Sequence, residues 1–233
     1  MISFYGLIII LASILPPIIF IGVADRFDHN KKEPRKVLLR LFAAGIVMPL
    51  AALVLELVLV PLSRMIPGGL AIPAEAFLGI ALPEEGVKLT ALFLIIRRRR
   101  EFDEVLDGAV YGIAVAMGFA LLENVLYVMG SGRPMAAALL RGITAIPLHA
   151  AAGGFMGLAL ARDRIESKGS IGLALLVAVL IHGVYDLILL HPLLPDMVIF
   201  PVLITAWWLL INQMKRARRD DFNAGRHYRS DGG

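Results

Sequence analysis

The stretch Ile80–Ile96, IALPEEGVKLTALFLII, decides the fold. It is apolar at both ends, yet Glu84, Glu85 and Lys88 stand together inside it. Crossing a bilayer takes about 20 apolar residues. Ionisable groups within such a run usually face a bundle interior or a watery cavity. The surrounding chain supports a membrane setting: of its 233 residues 58% are hydrophobic, and its mean hydropathy is +0.78. A soluble domain of this length is far more polar.

Working outward from this run, seven spans are expected: 2–23, 37–61, 70–96, 106–129, 135–161, 171–190 and 193–214. The fold class is therefore all-α, a polytopic transmembrane helical bundle of about seven spans. Residues 1–214 form one transmembrane domain, and the polar, basic segment 215–233 reads as a mobile cytoplasmic tail. No strand pattern or fixed-period repeat is visible. The N-terminus has neither the basic leader nor the cleavage site of a signal peptide.

Lys and Arg alternate from loop to loop. Arg26, Lys31, Lys32, Arg35 and Lys36 precede the second span, and Arg97 to Arg100 follow the third. Arg162, Arg164 and Lys168 follow the fifth, and six more basic residues occupy the tail. The opposite loops hold only Arg64 and Arg133. This asymmetry predicts an N-terminus outside and a C-terminus in the cytoplasm of a cell membrane. Although the sequence pI is about 9.6, the charges sit at span ends, which argues against nucleic acid. The Arg97–Arg100 run reads as a stop-transfer segment touching anionic lipid. The absence of cysteine excludes disulfides, thiolate catalysis and cysteine-bound metals.

Orientation does not explain the remaining polar groups. At 1.5 Å per residue, Glu84 lies about 21 Å from the outer end of the third span. Lys88 is four residues beyond Glu84 and three beyond Glu85, so either carboxylate can reach it along one helix face. The two glutamates point differently, which predicts that Lys88 holds one while the other titrates. Phe119, Glu123 and Tyr127 share a face of the fourth span, with Asn124 beside Glu123. His149 falls in the fifth span, and His182 and Asp186 are four apart in the sixth. One cavity at overlapping depth would collect these groups.

Packing alternatives exist for several of them. His149 alone reads as a packing residue, and Glu84, Glu85 and Lys88 can form an ion pair that fixes helix register. Glu56 and Glu75 stand alone and read as structural or solvated, and Arg141 reads as snorkelling outward. The small-residue pairs Gly108/Gly112 and Gly153/Gly157 suit helix packing.

As a set, the groups suit hydrolysis. A buried carboxylate, Glu84 or Glu85, can act as base toward water. His149 and His182 can donate to an oxyanion or a leaving amine, and Asp186 can fix the tautomer of His182. Alternatively Glu123, His149 and His182 can hold Zn²⁺ with one position open for water. No HExxH is present, no serine is implicated, and the GxGD sequence of intramembrane aspartyl proteases is absent. A proton-coupled transporter or channel using the same buried groups is the alternative, and a non-catalytic scaffold is a third.

The motifs EEGVK (84–88), FALLEN (119–124), His149 and HGVYD (182–186), in that order on successive spans, resemble the PrsW family of intramembrane proteases. DRFDHNKKEP at 25–34 resembles that family's first cytoplasmic loop. A more distant similarity links the chain to CAAX prenyl endopeptidases, which usually have His where this chain has Glu123. The resemblance implies a multispan endopeptidase, glutamic-type or zinc-dependent, that cuts a membrane-anchored protein. In some bacteria the substrate class is an anti-sigma factor.

Overall fold

Pro83 does not break the third span. In the computed structural model the chain stays helical through it, as a π-helical segment, Glu75–Ala81, that leads into α4, Leu82–Ile96. Proline offers no N–H to the preceding turn and crowds the carbonyl four residues back, so a wider turn just upstream relieves both effects. The structure describes residues 4–27, 32–167 and 170–230, with side chains to 223. Residues 28–31 of the loop motif and Lys168 lie outside the described residues.

The remaining helices are α1 (Phe4–Phe27), α2 (Arg35–Arg64), the single turn α3 (Ala71–Ala74), α5 (Val105–Gly130), α6 (Pro134–Ile143), α7 (Ala145–Ala161), α8 (Ile171–Leu190) and α9 (Ile199–Ser230). No strand occurs among the described residues. Six helical segments are long and apolar enough to cross a membrane. The run from α3 to α4, expected as a span of its own, is not among those six, because the π segment divides it into short pieces.

The expected fifth span also divides, at Thr144 between α6 and α7. Pro147 lacks the N–H that Ile143 would receive. Thr144 instead donates its hydroxyl to the Leu140 carbonyl at 2.7 Å and lies 3.1 Å from the Tyr185 hydroxyl.

α5 is apolar on every side and buried along most of its length, so it forms the axis of the bundle. α7 packs beside it through glycine. A Cβ on Gly112 would strike the Gly153 carbonyl, and one on Gly108 would strike the Gly157 carbonyl. Both pairs therefore serve helix packing, as their spacing predicts. Gly45 of α2 meets Gly118 of α5 in the same way. α1 and α2 turn large apolar side chains such as Leu15, Ile19, Leu50 and Leu57 outward, as lipid-facing helices do. Gly112→Ala is expected to destabilise the fold by about 1–3 kcal/mol through overpacking. Thermal unfolding in detergent checks this, with Gly130→Ala, where a Cβ meets nothing, as the silent control.

The segment read as a polar tail continues α9. Met214 and Ala217 are buried, and both Asp221 carboxylate oxygens accept from the first backbone N–H groups of α5, Val105 and Leu106, at 3.0 Å. An acidic group at a helix N-terminus is favourable because the backbone N–H groups there have no helical partner.

Candidate active site

Lys88 organises the site. It is 1% exposed, and its ammonium donates to Glu85 Oε1 at 2.8 Å and to Glu84 Oε2 at 3.1 Å. Its third acceptor is His149 Nδ1, at 2.9 Å. An ammonium has three donors, so all are spent. The Phe119 ring lies beneath the charge, 3.8 Å from Nζ to the ring centroid.

That arrangement fixes both imidazoles. With His149 Nδ1 accepting, Nε2 carries the proton and donates to Glu123 Oε2 at 2.7 Å. His182 Nδ1 donates to Glu85 Oε1, also at 2.7 Å. The His182 Nε2 edge then faces Glu84 Oε2 at 3.9 Å and Asp186 Oδ2 at 3.4 Å. The two rings meet edge to face, with centroids 5.1 Å apart.

The structure thus brings Glu84, Glu85, Lys88, Phe119, Glu123, His149 and His182 into one cluster. Both glutamates, not one, contact Lys88. Glu85 is fully buried, whereas Glu84 lines a cleft of about 750 Å³. Three expectations, on Asp186, Arg141 and Glu75, are corrected. Asp186 makes no hydrogen bond with His182 despite its ion-pair distance, and Glu85 orients that ring instead. Arg141 points inward: it pairs with Glu123 Oε1 at 3.0 Å, donates to Asn124 Oδ1 at 3.1 Å and stacks over Tyr127. Glu75 is bound by Arg64 through two hydrogen bonds. Asn124 donates its amide to the Ser13 carbonyl and so ties α1 to the cluster.

The cleft runs between α2, the third span, α5 and α6. It extends from Arg64, Gly130 and Ser131 at one end of the bundle to Glu84 and Glu123. Glu85, His149 and His182 are not among its lining residues. Of the two carboxylates on Lys88, Glu84 is therefore the one that also meets open space.

The metal-capable group differs from the sequence expectation of Glu123, His149 and His182. Donor atoms of Glu84, Glu85, His149 and His182 lie within 4.8 Å of one another. Glu123 is occupied by Arg141 and His149 instead. Two carboxylates and two imidazoles fit zinc by donor type, and Glu85 Oε2 is buried without a hydrogen-bond partner. The Lys88 ammonium stands among the same donors, so ammonium and metal compete for them.

A polytopic helical membrane protein with a buried Glu/His cluster beside an open cleft belongs to the class that keeps a functional site of ionisable groups inside the bilayer. Residues 33–211 match the family described as PrsW family intramembrane metalloprotease. The chain is 32% identical over 214 residues to "Protease PrsW" of Bacillus subtilis (strain 168), covering 90% of this chain and 95% of that protein. It is 29% identical to "Protease PrsW" of Geobacillus kaustophilus (strain HTA426), covering 90% and 92%, and 28% identical to that of Clostridioides difficile (strain 630), covering 77% and 78%. No solved structure matches. The chain belongs to the PrsW family, and is a multi-pass membrane protease.

Proposed function

We propose that the chain is an endopeptidase in which Glu84 activates water against a peptide bond of a membrane-anchored protein. One observation carries this reading: Glu84 is the carboxylate that both contacts Lys88 directly and lines the open cleft, beside Glu123. Water held by Glu84 adds its hydroxyl to the scissile carbonyl carbon and leaves its proton on the carboxylate. The C–N bond then breaks, and that proton passes to the departing amine. His182 Nε2, on the Glu84 side, faces the developing oxyanion and donates to it in its protonated form. Glu85 and Lys88 hold that ring and the base in place. Zinc held by Glu84, Glu85, His149 and His182 would supply Lewis-acid polarisation and a more acidic water.

The alternation of Lys and Arg supports an N-terminus outside and a cytoplasmic tail. The Arg64 and Ser131 end of the cleft then opens at the outer surface. A membrane-anchored anti-sigma factor cut near that surface is the substrate class the family resemblance favours.

Substrate capture tests the reading. The Glu84→Gln chain is expected to retain, uncut, a membrane protein that the parent chain cleaves, with the cut site mapped by mass spectrometry. Equal recovery and equal cleavage in both would overturn it. Metal content of the purified active chain, before and after chelation, separates the two versions: activity with no bound zinc leaves only the glutamate base.

A further inference from the structure

Four carboxylates line the cleft: Glu56, Glu75, Glu84 and Glu123. Arg64 holds Glu75, Lys88 holds Glu84, and Arg141 with His149 holds Glu123. Glu56, half-buried on α2, makes no hydrogen bond and no ion pair among the described residues. Around it the cleft wall is apolar, with Ala52, Leu53 and Val60. Glu56 stands eight residues from Arg64 along α2, and Glu84 nine from Glu75, the partner of Arg64, so helical rise places both about 12–13 Å below that pair. An unpaired carboxylate at that depth is costly unless something meets it.

The chemistry of cleavage supplies what meets it. A substrate span must unwind before its carbonyl carbon can be attacked, and in a bilayer the freed backbone N–H groups find no water. A carboxylate only accepts hydrogen bonds and has room for several. We infer that Glu56 is a substrate-binding residue whose carboxylate accepts backbone N–H groups of the unwound strand in the cleft. This inference rests on the cleft being where the proposed endopeptidase holds its peptide. The neighbouring aliphatic side chains suit the apolar side chains of such a strand.

The test uses the full chain carrying Glu84→Gln, in vesicles of phosphatidylethanolamine and phosphatidylglycerol. The probes are fluorescent single-span peptides of about 20 leucines and alanines. One has a central Gly-Pro that weakens its helix, one is uninterrupted, and one is uninterrupted with a central Lys. Energy transfer to labelled protein reads binding. Adding Glu56→Leu is expected to weaken binding of the Gly-Pro peptide about tenfold, the scale of one hydrogen bond to a charged group. Glu56→Gln, which keeps an acceptor oxygen, is expected to recover part of that loss. The uninterrupted peptide should not distinguish the variants, and equal melting temperatures confirm that each is folded.

Equal binding of the Gly-Pro peptide with and without Glu56 overturns the inference. Dependence on Glu56 for the Lys peptide alone overturns it too, by assigning the residue to a basic side chain. If the Glu56-bearing chain binds no probe, both the inference and the cleft as a peptide site fail. Cleavage of the Gly-Pro peptide by the chain that retains Glu84 is scored separately. Glu56-dependent binding without cleavage keeps the inference and defeats the endopeptidase reading.

Discussion

Replacing Glu84 by Gln is expected to lower cleavage of a captured substrate by about 10³-fold, within the range a general base contributes. Glutamine matches glutamate in shape and keeps an oxygen for Lys88 Nζ, which sits 3.1 Å from Glu84 Oε2. What it loses is proton affinity at the one Lys88-bound carboxylate that meets the cleft. The variant should keep its melting temperature in detergent within a few degrees and remain inserted. Rates at saturating substrate check the claim, since a base acts on turnover more than on binding. A variant retaining a tenth of the parent rate would remove Glu84 from this role. Glu85→Gln is the informative partner: Glu85 is enclosed and bonded to Lys88 and His182, so its loss should lower stability as well as activity.

Lys88→Met should be the most destabilising single change in the site, by about 3–5 kcal/mol, the range for breaking a buried ion pair from one side. Methionine fills similar volume, so packing over Phe119 survives while the charge does not. Glu84, Glu85 and His149 each lose their shared donor at once. Thermal or denaturant unfolding of the full chain in micelles measures the change. Adding Glu85→Gln to Lys88→Met should restore part of it, because the uncompensated carboxylate is then neutral. Unfolding within about 1 kcal/mol of the parent would mean that Lys88 is not what holds the cluster.

Much of the site was legible in the chain because helical spacing is rigid. Lys88 at four and three residues from Glu84 and Glu85, and Phe119, Glu123 and Tyr127 on one face, meet as their spacing predicts. Contacts between helices were less legible, because spacing says nothing about which neighbour a side chain turns toward. Arg141 shows this: near a helix end it suggests snorkelling, yet it turns in to Glu123 and Asn124. A usable signal exists, since Asn124 and Arg141 lie about equally far from the turn at Gly132, so an antiparallel helix pair sets them level. Asp186 fails for the opposite reason. Four-residue spacing allows a contact with His182, but Glu85, invisible to local spacing, holds the ring through Nδ1 and leaves Nε2 3.4 Å from Asp186 without a hydrogen bond. Glu56 gave no sequence signal beyond its charge, because its importance depends on the space beside it.

The π-helical segment Glu75–Ala81 sets how the third span faces its neighbours. Its wider turns shift the rotational phase of the residues before it relative to those after it. Glu75 therefore meets Arg64 at the mouth while Glu84 meets Lys88 deeper in, two different bearings served by one continuous helical run.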